Sequence, residues 1–91
     1  RLATTMTTAI HRDTGLVASA HEYVGWLGLE CASVRAAIWM MRGLVAGNVL
    51  ARREETVLFV PVNPARVFSG ETVVRAVTRL HHLAVATSVL P

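Results

Sequence analysis

The first regular pattern of apolar and polar positions falls in 22-EYVGWLGLEC-31. Tyr23, Leu27, Leu29 and Cys31 alternate with Val24 and Trp26, the period-2 signature of a strand, and bulk on both sides predicts a strand covered on both faces. The period then lengthens. In 33-SVRAAIWMMRGLVAGN-48 the apolar positions recur at helical spacing. Ser33 stands where a side-chain oxygen can accept from a free N–H of the first turn, and Gly47-Asn48 tolerate a left-handed stop, so a helix is predicted from about Val34 to Ala46. Two β-prone runs, 49-VLARR-53 and 56-TVLFVPV-62, flank Glu54-Glu55 and predict a short hairpin, although no Asn-Gly signal marks the turn. Pro61, which has no N–H to donate, restricts the second run to an edge or to pairing that ends before it. A loop is predicted over 63-NPARVFSG-70, and Ser69 or Gly70 is placed to cap a last helix from Glu71 to about Ala86.

The predicted order is β-α-β-β-α. It matches an α+β two-layer sandwich of the ferredoxin-like, split βαβ kind, or a truncated variant of it, with helices layered on an antiparallel sheet. The closing strand is missing or very short, because only 87-TSVLP-91 remains for it. The β-prone stretch 2-LATTMTTAI-10 is a candidate to replace it at the sheet edge. Residues 1–15 are therefore expected to form an N-terminal arm, flexible or an edge strand, and residues 16–91 a single α+β domain. There is no internal repeat and no low-complexity tract.

The helix over 34–46 is apolar on too many sides. At 100° per residue, Val34, Ala37, Ile38, Met41, Leu44 and Val45 share an arc centred on Met41, which is expected to face the sheet. Ala36, Trp39, Met40 and Gly43 then fall on the opposite side and form a second apolar face of low profile. An exposed Trp is costly to leave in water, and small neighbours let another backbone approach closely. Ala36, Trp39, Met40 and Gly43 are therefore the expected interface, covered by a second subunit, by the N-terminal arm or by a domain outside this chain.

Composition strengthens that expectation. Hydrophobic residues make up 53% of the 91 positions and charged residues only 16%, more apolar surface than a thin core can absorb. No run approaches the ~20 apolar residues of a membrane span. The N-terminus has no secretory signal pattern. A chain that begins with Arg leaves residues 1–5 open as a leader or vector remnant, with Met6 a candidate start. Cys31 has no partner for an internal disulfide, which suits a reducing compartment and gives a cytoplasmic expectation. All basic residues are arginine and the net charge is +3.

Candidate chemistry is sparse. Cys31 lies just before a helix N-terminus, where the helix field could favour a thiolate, yet Arg35 follows too soon for the phosphatase spacing. The histidines His11, His21, His81 and His82 show no ligand spacing, and a buried structural role is expected for Cys31 and a core-edge role for His81. His21, Cys31 and His81 remain the candidate ligands of a metal or tetrapyrrole, although no cofactor is predicted. Arg35 and Arg42, Arg52 and Arg53, and Arg75 and Arg79 are spread over three elements without aromatic interleaving, so a solvated face is expected and nucleic-acid binding ranks low. There is no phosphate loop, paired-carboxylate motif or Ser-His-Asp arrangement, and no catalytic activity is expected from this chain alone. The leading expectation is a small oligomeric binding, regulatory or accessory domain that acts through protein–protein association, with itself or with another subunit. A cofactor-handling protein and weak nucleic-acid binding through the arginines are the alternatives.

Overall fold

A computed structural model of the protein describes residues 2–20, 23–62 and 70–87. Its elements are α1 (Leu2–Thr14), β1 (Val17–Ala18), β2 (Trp26–Glu30), α2 (Val34–Ala46), β3 (Arg52–Glu54), β4 (Val57–Pro61) and α3 (Gly70–Ala86). The strands form one antiparallel sheet in the order β1-β2-β4-β3. This is an α+β domain consistent with a variant of the split βαβ sandwich. From β2 to α3 the chain follows the expected β-α-β-β-α order. The edge beside β2, where a further strand after α3 would pair, is taken by β1, which comes before β2 in the chain. The stretch 88–91 lies outside the described residues, as does most of the expected loop over 63–70.

Residues 2–10 correct the sequence reading: they belong to a helix, not to an arm or an edge strand. The threonines Thr4, Thr5, Thr7 and Thr8 lack strong helix propensity, so packing must hold this helix. Met6 and Ile10, one helical turn apart, are 1% and 0% exposed and join the same core as Leu29 and Val77. Gly15 ends the helix in the left-handed conformation at φ 80°, and its N–H donates to the His11 carbonyl at 2.9 Å.

In β2 the alternation resolves as predicted for Leu27 and Leu29, which turn toward the helices and are buried. Leu58 and Val60 of β4 do the same. On the opposite face Gly28 pairs directly with Phe59. A Cβ at Gly28 would lie 3.0 Å from the Phe59 ring and 3.2 Å from Val57, so the missing side chain makes room for the ring. Tyr23 precedes β2 instead of belonging to it. Its ring meets Phe59 edge-on at 5.2 Å, and its hydroxyl donates to the Glu54 carboxylate at 3.0 Å. Arg52 covers Trp26 at 5.8 Å.

The β3–β4 hairpin forms with a two-residue turn, Glu55-Thr56, between the paired Glu54 and Val57. Glu55 takes φ 53°, where glycine is usual, and its carbonyl accepts from the Arg53 guanidinium at 2.9 Å. β4 is central, yet its pairing with β3 stops at Phe59, so Pro61 has only Trp26 opposite it. That is the second of the two placements its missing N–H allows.

Candidate functional site

Helix α2 begins as its sequence dictates. Ser33 is extended, and its Oγ accepts from the Ala36 N–H at 3.1 Å. At the far end Asn48 takes the left-handed conformation at φ 66°. The face that α2 buries, however, differs from the expected one. Ala36, Ala37, Met40 and Leu44 are buried, whereas Val34 and Val45 are 44% and 53% exposed. The inward arc is therefore centred near Met40 and not on Met41.

This takes Ala36 and Met40 out of the expected interface, because both are buried inside the chain, while Trp39 and Gly43 are half-buried where α2 meets α3 and remain at the surface. Ala36 packs with Ala84, and Trp39 and Cys31 lie against that pair. A Cβ on Gly43 would come within 2.7 Å of Leu80 Cδ2. The small residues do admit a second helix closely, as their profile implied, but the close approach is intramolecular. Two apolar arcs of similar size compete on this helix. Ala36 and Ala37, with Met40 and Leu44, take the interior because α2 must fit against the sheet and α3 together, where β-branched Val34 and Val45 would hold the layers apart.

Where α2 and α3 meet, the outer surface sinks into a groove with two depressions. One, of about 710 Å³, is lined by Gly43, Gly47, Val49, Leu80 and Leu83 with Arg79 and His82 at its border. The other, of about 590 Å³, is lined by Ile38, Trp39, Gly43, Leu80 and Leu83 with Arg35 and Arg42. Gly43, Leu80 and Leu83 are common to both. Leu83 is 51% exposed, and its position on α3 lies outside the buried stripe of Val73, Val77 and Ala84. Among the described residues no carboxylate lines either depression. Arg35, Arg42 and Arg79 make no ion pair among the described residues, in contrast to Arg12 with Asp13 and Arg75 with Glu71. The groove thus combines an apolar floor with uncompensated positive charge.

Sequence reasoning found Trp39 and Gly43 but missed Ile38, Leu80, Leu83 and Arg79. The available signal was the Leu80–Leu83 pair, spaced so that both flank the buried stripe on the side that Gly43 leaves open.

The other candidates do not assemble into a site. Cys31 is partly buried, and burial, with a smaller contribution from the Glu30 charge, pushes its thiol up to about 11. A thiol so placed is protonated at neutral pH and is a poor nucleophile. His81 sits at the core margin with its Nδ1 buried and without a hydrogen-bond partner. Burial, then the neighbouring His82 charge, lowers its pKa below the ordinary histidine value. The two rings stand 6.5 Å apart, and His82 Nε2 lies 3.0 Å from the Asp13 carbonyl oxygen, joining α3 to the end of α1. His21 lies outside the described residues. Among the described residues no three His, Cys, Asp or Glu side chains gather as metal ligands, and no helix is long and apolar enough to cross a membrane.

In comparisons with known proteins, no family model, curated protein or solved structure matches the chain.

Proposed function

We propose that this chain is a small binding or accessory domain that acts through protein–protein association, and that its contact surface is the α2–α3 groove. The observation that carries the reading is the continuous apolar floor of Gly43, Leu80 and Leu83, left open to solvent between two helices whose inner faces are already satisfied. Apolar surface gathered in a concavity is where association removes most water for the least loss of side-chain freedom. A cytoplasmic setting belongs to the same proposal and is supported by the unbridged Cys31.

Photo-crosslinking tests it. A photoreactive residue at Leu83 is expected to trap a discrete complex, with a second copy or another protein, while one at Val24, fully exposed before β2, is not. When the trapped complex is rebuilt from purified components, Leu83→Asp should dissolve it. Equal trapping at both positions, no trapping at Leu83, or a rebuilt complex indifferent to Leu83→Asp would overturn the reading.

A further inference from the structure

The geometry points to an acidic amphipathic helix of another protein as the occupant of the α2–α3 groove, with its apolar residues in the two depressions and its carboxylates against Arg35, Arg42 and Arg79. The inference rests on the groove being the contact surface and adds the identity of what enters it.

Charge complementarity carries the argument. Among the described residues the depressions have arginine and histidine at their borders and no acid, and these three arginines have no carboxylate partner. Covering the floor strips water from the rim, so an occupant must supply negative charge there or leave cations desolvated and unpaired. A second copy meets that demand badly. A two-fold contact sets a patch against itself and would bring Arg35, Arg42 and Arg79 toward their own equivalents. Nucleic acid would satisfy the arginines, but its phosphates gain nothing from Leu80, Leu83 and Ile38 in the floor.

The shape of the groove decides between a helix and an extended peptide. Its walls are α2, α3 and the turn after α2, where the Gly47 and Val49 N–H groups bond back to α2 carbonyls. An extended segment would find no strand edge to satisfy its N–H and C=O groups, whereas a helix brings those bonds with it. Two adjoining depressions that share the Gly43, Leu80 and Leu83 floor suit apolar anchors presented from one face of a helix. Acidic positions flanking such anchors would lie beside Arg35 and Arg42 on the α2 side and Arg79 on the α3 side.

The test is selection from a displayed library of amphipathic helical peptides, randomised on the polar face and at the anchors, against the full chain. The expected winners carry Asp or Glu on both sides of Leu, Met or aromatic anchors. Their affinity should fall at least about tenfold on Leu83→Asp and by a similar factor on combined replacement of Arg35, Arg42 and Arg79 by Gln, with a clear loss between low and physiological salt. Circular dichroism of each variant separates lost binding from lost fold. Winners that need Leu83 but show no acidic bias, and that tolerate the arginine replacements, overturn the acidic partner and leave the groove standing. Leu83-dependent self-association stronger than any peptide, or tighter binding of random single-stranded DNA through the same arginines, also overturns it. If no winner responds to Leu83→Asp, the groove reading falls as well.

Discussion

Gly43 is the residue on which the helix layer turns. Its missing side chain lets Leu80 touch the α2 backbone, and a Cβ there would stand 2.7 Å from Leu80 Cδ2. Gly43→Ala sets a helix-propensity gain of roughly 1 kcal/mol against a shift of the flexible Leu80 tip, so its stability in urea should stay within about 1 kcal/mol of wild type. Gly43→Leu has no such compensation and is expected to cost about 1–3 kcal/mol by overpacking. The reactivity of Cys31 is a second quantity set at this scale. With its thiol pushed up to about 11, Cys31 should be alkylated by iodoacetamide at pH 8 more than about tenfold more slowly than a free cysteine. Denaturant should restore the ordinary rate, and a fast reaction in the native protein would mark an ionised thiol that its burial does not allow.

Among the elements, α1 is the one whose stability comes almost entirely from outside itself. Ile10 is fully buried in the core that α1 shares with α3 and the sheet, and Ile10→Ala is expected to cost about 2–5 kcal/mol, a large share of what a domain of this size has. A loss under about 0.5 kcal/mol, with circular dichroism unchanged, would show α1 undocked. The α3 margin beside α1 carries a pH dependence. The unpartnered Nδ1 of His81 is buried, and its pKa lies below the ordinary value of about 6.5. In the window below 6.5 the unfolded chain binds a proton that the folded chain refuses, so this contribution is complete above that window and declines as pH falls through it. His11, His82, the Asp13 carbonyl and the Arg12–Asp13 pair are also at this end of the helices. Urea midpoints measured from pH 7.5 to 5 should drop on acidification, and His81→Phe should flatten that drop. An equal slope in the variant would assign the effect to other groups.

For the whole molecule, one core joins all three helices to one face of the sheet, and a smaller aromatic group occupies the other face. Trp39 reports the helix layer and Trp26 the far face. Because β2 and β4 present residues to both faces, the two should unfold together. Urea transitions followed by fluorescence in Trp26→Phe and Trp39→Phe, each normalised for its own stability, should coincide with circular dichroism. A far-face transition that precedes the loss of helix would reveal two independent units.

The features that sequence alone determined are those set by local chemistry. Ser33 caps α2 because its oxygen reaches the Ala36 N–H whatever surrounds it, Asn48 tolerates the left-handed stop, and alternation aims Leu27 and Leu29 to one side of β2. The order β-α-β-β-α followed from such signals. Tertiary structure decided what local chemistry leaves degenerate. Residues 2–10 are β-prone in isolation, yet burial of Met6 and Ile10 makes them helix. The edge strand is Val17–Ala18, too short to announce itself by periodicity and defined only by pairing with Leu29 and Glu30. In α2 two apolar arcs differ little in hydrophobicity and the choice fell to steric fit: Ala36 and Ala37 face inward beside Met40 and Leu44 because a sheet and a second helix must both come near. That choice left Val34 and Val45 toward water, placed Gly43 under Leu80, and opened the groove at Leu83, which no property of α2 alone could have revealed.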